Sequence, residues 1–143
     1  MLAPAAMSSN ASQAHAYRRV GVETGVGAAT PHQLVTMLFD GFGDAIAQAR
    51  AALQRRDIEA KCKAITRAVR IVDEGLKASL DVRGGGKLGE DLLALYGYVA
   101  LRLTQANLNN DVAALDECQG LLEPVRSAWS AIGPAVAATA HAQ

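Results

Sequence analysis

The chain has 143 residues, enough for a single domain with one core. Half of them are hydrophobic but only 4% are aromatic, so the apolar share is mostly Ala, Leu and Val, residues suited to packed helices. Its 14 basic side chains balance 14 acidic ones, which excludes a general attraction to nucleic acid or anionic membrane and leaves only local patches.

Residues 1–16 are mostly Ala, Ser, Asn and Gln around one Pro, a composition that buries too little to fold alone. No basic stretch leads into an apolar run there, so the start does not read as a signal peptide. Nowhere do about 20 apolar residues follow one another, and membrane insertion is not expected. The next stretch is different, with Tyr17, Val20, Val22 and Val26 set among glycines. Residues 1–29 are therefore expected to be a flexible segment with apolar anchors, followed by a bundle over 30–132 and a disordered or frayed tail over 133–143.

Thr30-Pro31-His32-Gln33 is a helix start: Thr as N-cap, Pro at the first helical position, and Gln placed to complete a capping box. Val35, Leu38, Phe39, Phe42, Ile46, Ala49 and Leu53 then fall on one helical face, with an end near Arg55. Asp57 is placed to cap a second helix with the seam Ile58, Cys62, Ile65, Val69, Val72, Leu76 and Leu80. Gly84-Gly85-Gly86 breaks the chain. A third helix is predicted from about Leu88 to Asn107 with Leu92, Leu95, Val99, Leu103 and Ala106 on its main face. Asn109-Asn110 offers a turn and a cap before a fourth helix carrying Val112, Leu115, Cys118, Leu122, Val125, Trp129 and Ile132. Pro124 should kink that helix between Gly120 and Glu123. Four such helices with short connections imply an all-α, antiparallel up-down-up-down four-helix bundle.

No catalytic or metal constellation emerges. His15 and His141 lie in the two ends and His32 in a first helical turn, so no histidine sits mid-helix beside a carboxylate. Gly84-Gly85-Gly86-Lys87-Leu88 lacks the spacing and the hydroxyl of a phosphate loop and follows a helix rather than a strand. Cys62 and Cys118 form neither a CxxC nor a disulfide framework and read as core residues in a reducing compartment. Neither catalysis nor a cofactor or metal is expected. A basic stripe on the second helix (Arg56, Lys63, Arg67 and Arg70) reads better as a solvated face than as a nucleic-acid surface, since it lacks interleaved aromatics.

The third helix is apolar beyond the needs of one core face. Leu93, Tyr96, Tyr98, Ala100 and Leu101 spread round its circumference, which is the pattern of a helix covered on more than one side.

Several runs, in this order and spacing, resemble the flagellin export chaperone family, FliS. They are Tyr17 and Val22; Thr30 to Gly41 (TPHQLVTMLFDG); Lys63-Ala64-Ile65; Leu95-Tyr96-Gly97-Tyr98; Arg102-Leu103; Ala106-Asn107; and Arg126-Ser127-Ala128-Trp129. The similarity spans about residues 16 to 132. Phe39 departs from it, standing where the family usually has Tyr, and Pro124 and the Ala-rich ends look peculiar to this chain. The resemblance implies a cytoplasmic chaperone that holds the disordered C-terminal segment of flagellin, prevents premature polymerisation and delivers it to the flagellar export gate. It also implies an N-terminal segment that covers part of the binding groove. Ile65, Val72, Leu93, Tyr96 and Leu101 are the expected groove residues, and Tyr17, Val20 and Val22 the expected cover. The alternative is a nucleic-acid-binding helical module that uses the basic stripe of the second helix.

Overall fold

A computed structural model describes residues 28–80 and 82–142, with side chains in that range except 82–84 and 134–142. Tyr17, Val20 and Val22 lie outside the described residues.

Helix α1, Pro31–Gln54, starts as its sequence dictates. The Thr30 hydroxyl accepts from the Gln33 N–H at 3.1 Å, and the Gln33 side chain accepts from the Thr30 N–H at 2.8 Å, which satisfies two orphan donors reciprocally. Its end is a Schellman turn. Arg56 takes a left-handed conformation, the Asp57 N–H reaches back to the Ala52 carbonyl and the Arg56 N–H to the Leu53 carbonyl. Asp57 then directly caps helix α2, Ile58–Arg70, its carboxylate accepting from the Ala60 N–H at 3.1 Å.

The turn between helix α3, Val82–Asn109, and helix α4, Val112–Ala142, repeats this device. Asn110 is left-handed, the Asp111 N–H bonds the Ala106 carbonyl, and the Asp111 carboxylate accepts from the Ala114 N–H. The cap of the last helix is therefore Asp111 rather than the expected Asn109-Asn110 pair, because the asparagine supplies the left-handed residue that must precede it.

Helix α2, Ile58–Arg70, continues into one π-helical turn, Ile71–Leu76, where the Lys77 N–H reaches the Val72 carbonyl. Its inward face is rotated by roughly one residue from the expected seam. Ile65, Val72 and Leu76 are buried as expected, but Ile58 is exposed, and Lys61, Ala64, Ala68, Ile71 and Gly75 complete the contact. Ala64, Ala68 and Gly75 do this because small residues let the helices approach. A Cβ placed on Gly75 would lie 2.7 Å from Leu38 of α1. Lys61 is inward because its ammonium has a target, donating to the Asn107 carbonyl in the last turn of α3 at 2.8 Å.

Helix α3, Val82–Asn109, is interrupted at Gly86, whose φ of 56° and ψ of −136° only glycine adopts at no cost. The regular helix follows that break, close to the expected start at Leu88. Helix α4, Val112–Ala142, runs through both prolines. At Pro124 the lost donor leaves the Gly120 carbonyl without its helical partner, but both residues are exposed, so the carbonyl is open to solvent. The backbone also remains helical beyond Gly133-Pro134, in keeping with the high helix propensity of its alanines.

The helices contact one another in ring order, α1 with α2, α2 with α3, α3 with α4, and α4 with α1. This is the all-α, up-down-up-down four-helix bundle, without strands among the described residues. Its core joins Leu34, Leu38, Phe42 and Ile46 of α1 to Ile65 and Val72 of α2, Val99 and Leu103 of α3, and Leu115 and Leu122 of α4. Arg50 of α1 ties the rim to α4, donating to Asp116 and to Gln119.

Candidate functional site

Helix α3 presents two apolar faces on opposite sides. The inner one, Tyr96, Val99, Leu103 and Ala106, is buried in the core. The other, in successive steps of three or four residues, runs Leu93, Gly97, Leu101, Thr104 and Leu108. Leu93 is 40% exposed, Leu101 58% and Leu108 79%, although each is a large side chain that gains from leaving water. A neighbouring helix covers one side of a bundle helix, not both. The outward row is thus an apolar strip open to a partner helix, with Gly97 between Leu93 and Leu101 where a second backbone can come close.

The five expected groove residues divide between these environments. Leu93 and Leu101 share the outward face. Ile65, Val72 and Tyr96 are at most 3% exposed and belong to the core, so the bundle does not bring all five into one open groove. Burial pushes the Tyr96 phenol up to about 12. Leu108, seven residues after Leu101 on the same row, is the functional candidate that the sequence reading passed over. Its signal was the spacing, which becomes informative once the inner face is known.

The strip is flanked by a polar cluster joining α3 to α4. The Tyr98 hydroxyl donates to one Glu117 carboxylate oxygen and Arg102 Nε donates to the other at 2.8 Å. Hydrogen bonding by Tyr98, then by Arg102, holds the Glu117 carboxyl below its ordinary value. Arg102 also pairs with Asp111 at 3.8 Å. This cluster fixes one edge of the strip and offers no nucleophile or base aimed at an open pocket.

At the opposite edge of the bundle, His32 stacks on Trp129 with ring centroids 4.8 Å apart. The Trp129 indole N–H donates to the His32 carbonyl at 3.2 Å, and His32 Nε2 lies 3.0 Å from the Trp129 carbonyl. His32 is therefore a clasp between α1 and α4. Cys118 is buried, which pushes its thiol up to about 11, while Cys62 is half-buried.

Among the described residues no three His, Cys, Asp or Glu side chains are grouped to hold a metal ion. No helix among them is long and apolar enough to cross a membrane. The basic stripe is largely engaged along its own helix, with Lys63 beside Glu59 at 3.6 Å and Arg70 on Glu74 at 3.0 Å.

Known proteins are similar to the chain over most of its length. The family model of the flagellar protein FliS matches residues 13–136. The chain is similar to the flagellar secretion chaperone FliS of Salmonella typhimurium, 47% identical over 124 residues that cover 87% of this chain and 92% of that one. It is 41% identical over 114 residues to the FliS of Escherichia coli K12, covering 80% of this chain and 84% of the other. With the chaperone FliSB of Pseudomonas aeruginosa it shares 40% identity over 116 residues, 81% of this chain and 91% of its relative.

Proposed function

The chain belongs to the FliS family of flagellar secretion chaperones, and on that premise we propose that its client is the disordered C-terminal segment of flagellin, held in the cytoplasm. Binding would prevent premature polymerisation and present the segment to the export gate. The observation that supports this reading is the outward row Leu93, Leu101 and Leu108 on α3, exposed apolar side chains at helical spacing. An amphipathic segment that pairs with its own kind in a filament finds there a substitute apolar surface. Folding on the chaperone costs the client its conformational entropy, so affinity per area is modest and release remains feasible. Tyr17, Val20 and Val22 are proposed to compete for the same surface, lowering the apparent affinity.

The test is calorimetric titration of the full chain with the C-terminal segment of flagellin from the same organism. A saturable one-to-one isotherm with a negative heat-capacity change is expected. Leu101→Glu and Leu108→Glu, both on exposed positions, should each weaken binding by roughly tenfold or more, from the lost burial of one leucine. Unchanged binding by both folded variants would remove α3 from the client surface, and absence of any complex would remove flagellin as the client.

A further inference from the structure

The furrow between α1 and α4 encloses about 300 Å³ and is formed without α3. Asp40, Gly43 and Asp44 of α1 make one wall and Glu123 and Arg126 of α4 the other, over core side chains of both helices. Three carboxylates thus face one guanidinium, an excess of negative charge in a chain that has none overall. Arg126 is divided between Asp40 at 3.5 Å and Glu123 at 3.3 Å, and all three side chains are about half exposed. Asp44 is exposed and makes no ion pair or hydrogen bond among the described residues. The next cation along α1, Arg50, is already held by Asp116 and Gln119 of α4. The attraction left over in the furrow is for an incoming cation.

Gly43 marks the same place on independent grounds. It sits inside a helix without a positive φ, and a Cβ there would meet no atom within 4 Å. Gly75 and Gly133 differ, since a Cβ on them would strike Leu38 and His32 respectively. Neither the backbone nor the core calls for glycine at position 43, where alanine would favour the helix. What glycine leaves is bare backbone on the furrow wall, open to close approach from outside.

We propose that this furrow docks a short basic helix of a partner protein, independently of the client strip on α3. Small residues of that helix would lie against Gly43 and its cations on Asp40 and Asp44. These two carboxylates are one helical turn apart, about 6 Å along the axis, which matches side chains at i and i+4 on a helix laid alongside. A lone divalent ion fits less well, because no three acidic side chains among the described residues are grouped to hold one.

The probe is a synthetic helical peptide with alanines along one face and lysines at i and i+4 beside them, titrated against the full chain by fluorescence anisotropy. Saturable binding is expected, weakened about tenfold by Asp44→Lys, which replaces an attraction with a repulsion, and unchanged by Leu101→Glu. Gly43→Leu fills the furrow without altering charge and should give a similar loss while its urea midpoint holds or rises. The proposal is overturned by no binding, by equal binding of a glutamate-for-lysine peptide, or by unchanged binding in both variants. Tighter peptide binding to Arg18→Glu with Arg19→Glu would also overturn it, because the chain's own basic N-terminal segment would then be the occupant.

Discussion

The contact between Gly75 and Leu38 gives a stability prediction whose sign depends on the partner residue. Leu38 is fully buried, and a Cβ on Gly75 would stand 2.7 Å from one of its methyl carbons and 3.0 Å from the other. Gly75→Ala therefore combines two opposed effects. Reduced backbone entropy in the unfolded chain stabilises by about 1 kcal/mol, and overpacking against an immobile leucine destabilises by about 2 kcal/mol. The net expectation is a loss of about 1 kcal/mol. Leu38→Ala alone should cost about 3 kcal/mol through its cavity. In that background the obstacle is gone, so adding Gly75→Ala should stabilise by about 1 kcal/mol. The two substitutions are thus coupled by about 2 kcal/mol, well beyond the few tenths expected of independent sites. Urea unfolding of the four proteins followed by circular dichroism at 222 nm measures this directly, with equal m-values as the check on two-state behaviour. Additivity within about 0.5 kcal/mol would show that α2 does not approach α1 as described and that the reasoning from small residues is wrong.

Two further outcomes rest on single residues. Because Tyr96 keeps its proton up to about 12 when folded but loses it near 10 when unfolded, its contribution is complete below pH 10 and declines as pH rises towards 12, by about 2–3 kcal/mol. Tyr96→Phe should lack this part of the alkaline slope in parallel unfolding curves, and identical slopes would refute it. Pro124→Ala restores the donor to the exposed Gly120 carbonyl in an unbroken helix. Its urea midpoint should rise, corresponding to about 1–3 kcal/mol, and a lower midpoint would mean that the proline is required by the helix's path.

What was legible in the chain was what neighbours in sequence decide. The capping box at Thr30 and Gln33 and the Asp57 cap depend on groups three residues apart, and both stand as read. The face of α2 depended on distant partners. Lys61 is buried because Asn107 lies across from it, and Gly75 because Leu38 does, and neither residue type announces an inward position. The π turn at Ile71–Leu76 rests on a hydrogen-bond shift that no residue pattern marks. For the same reason the expected groove mixed two faces. Ile65, Val72 and Tyr96 are apolar at helical spacing, as are Leu93 and Leu101, and only tertiary packing separates those that fill the core from those left outside.

The outward row of α3 also sets a scale for how firmly it alone can hold a client. Three leucines, each contributing about 1.5–3 kcal/mol when fully buried, give at most about 5–9 kcal/mol before any cost is counted. Ordering a disordered segment takes back about 2–5 kcal/mol, and loss of overall motion takes more. The strip on its own therefore supports only transient binding. For the proposed flagellin client further contacts are needed, and among the described residues helices in ring order offer the furrows between neighbours and the outer faces of α1, α2 and α4. A client long enough to wrap from α3 onto an adjacent face adds contacts with each turn. It can be peeled away in the same small steps, since no single contact carries most of the energy. Weak apolar contacts distributed over the bundle surface would thus let the proposed client be held and still be released.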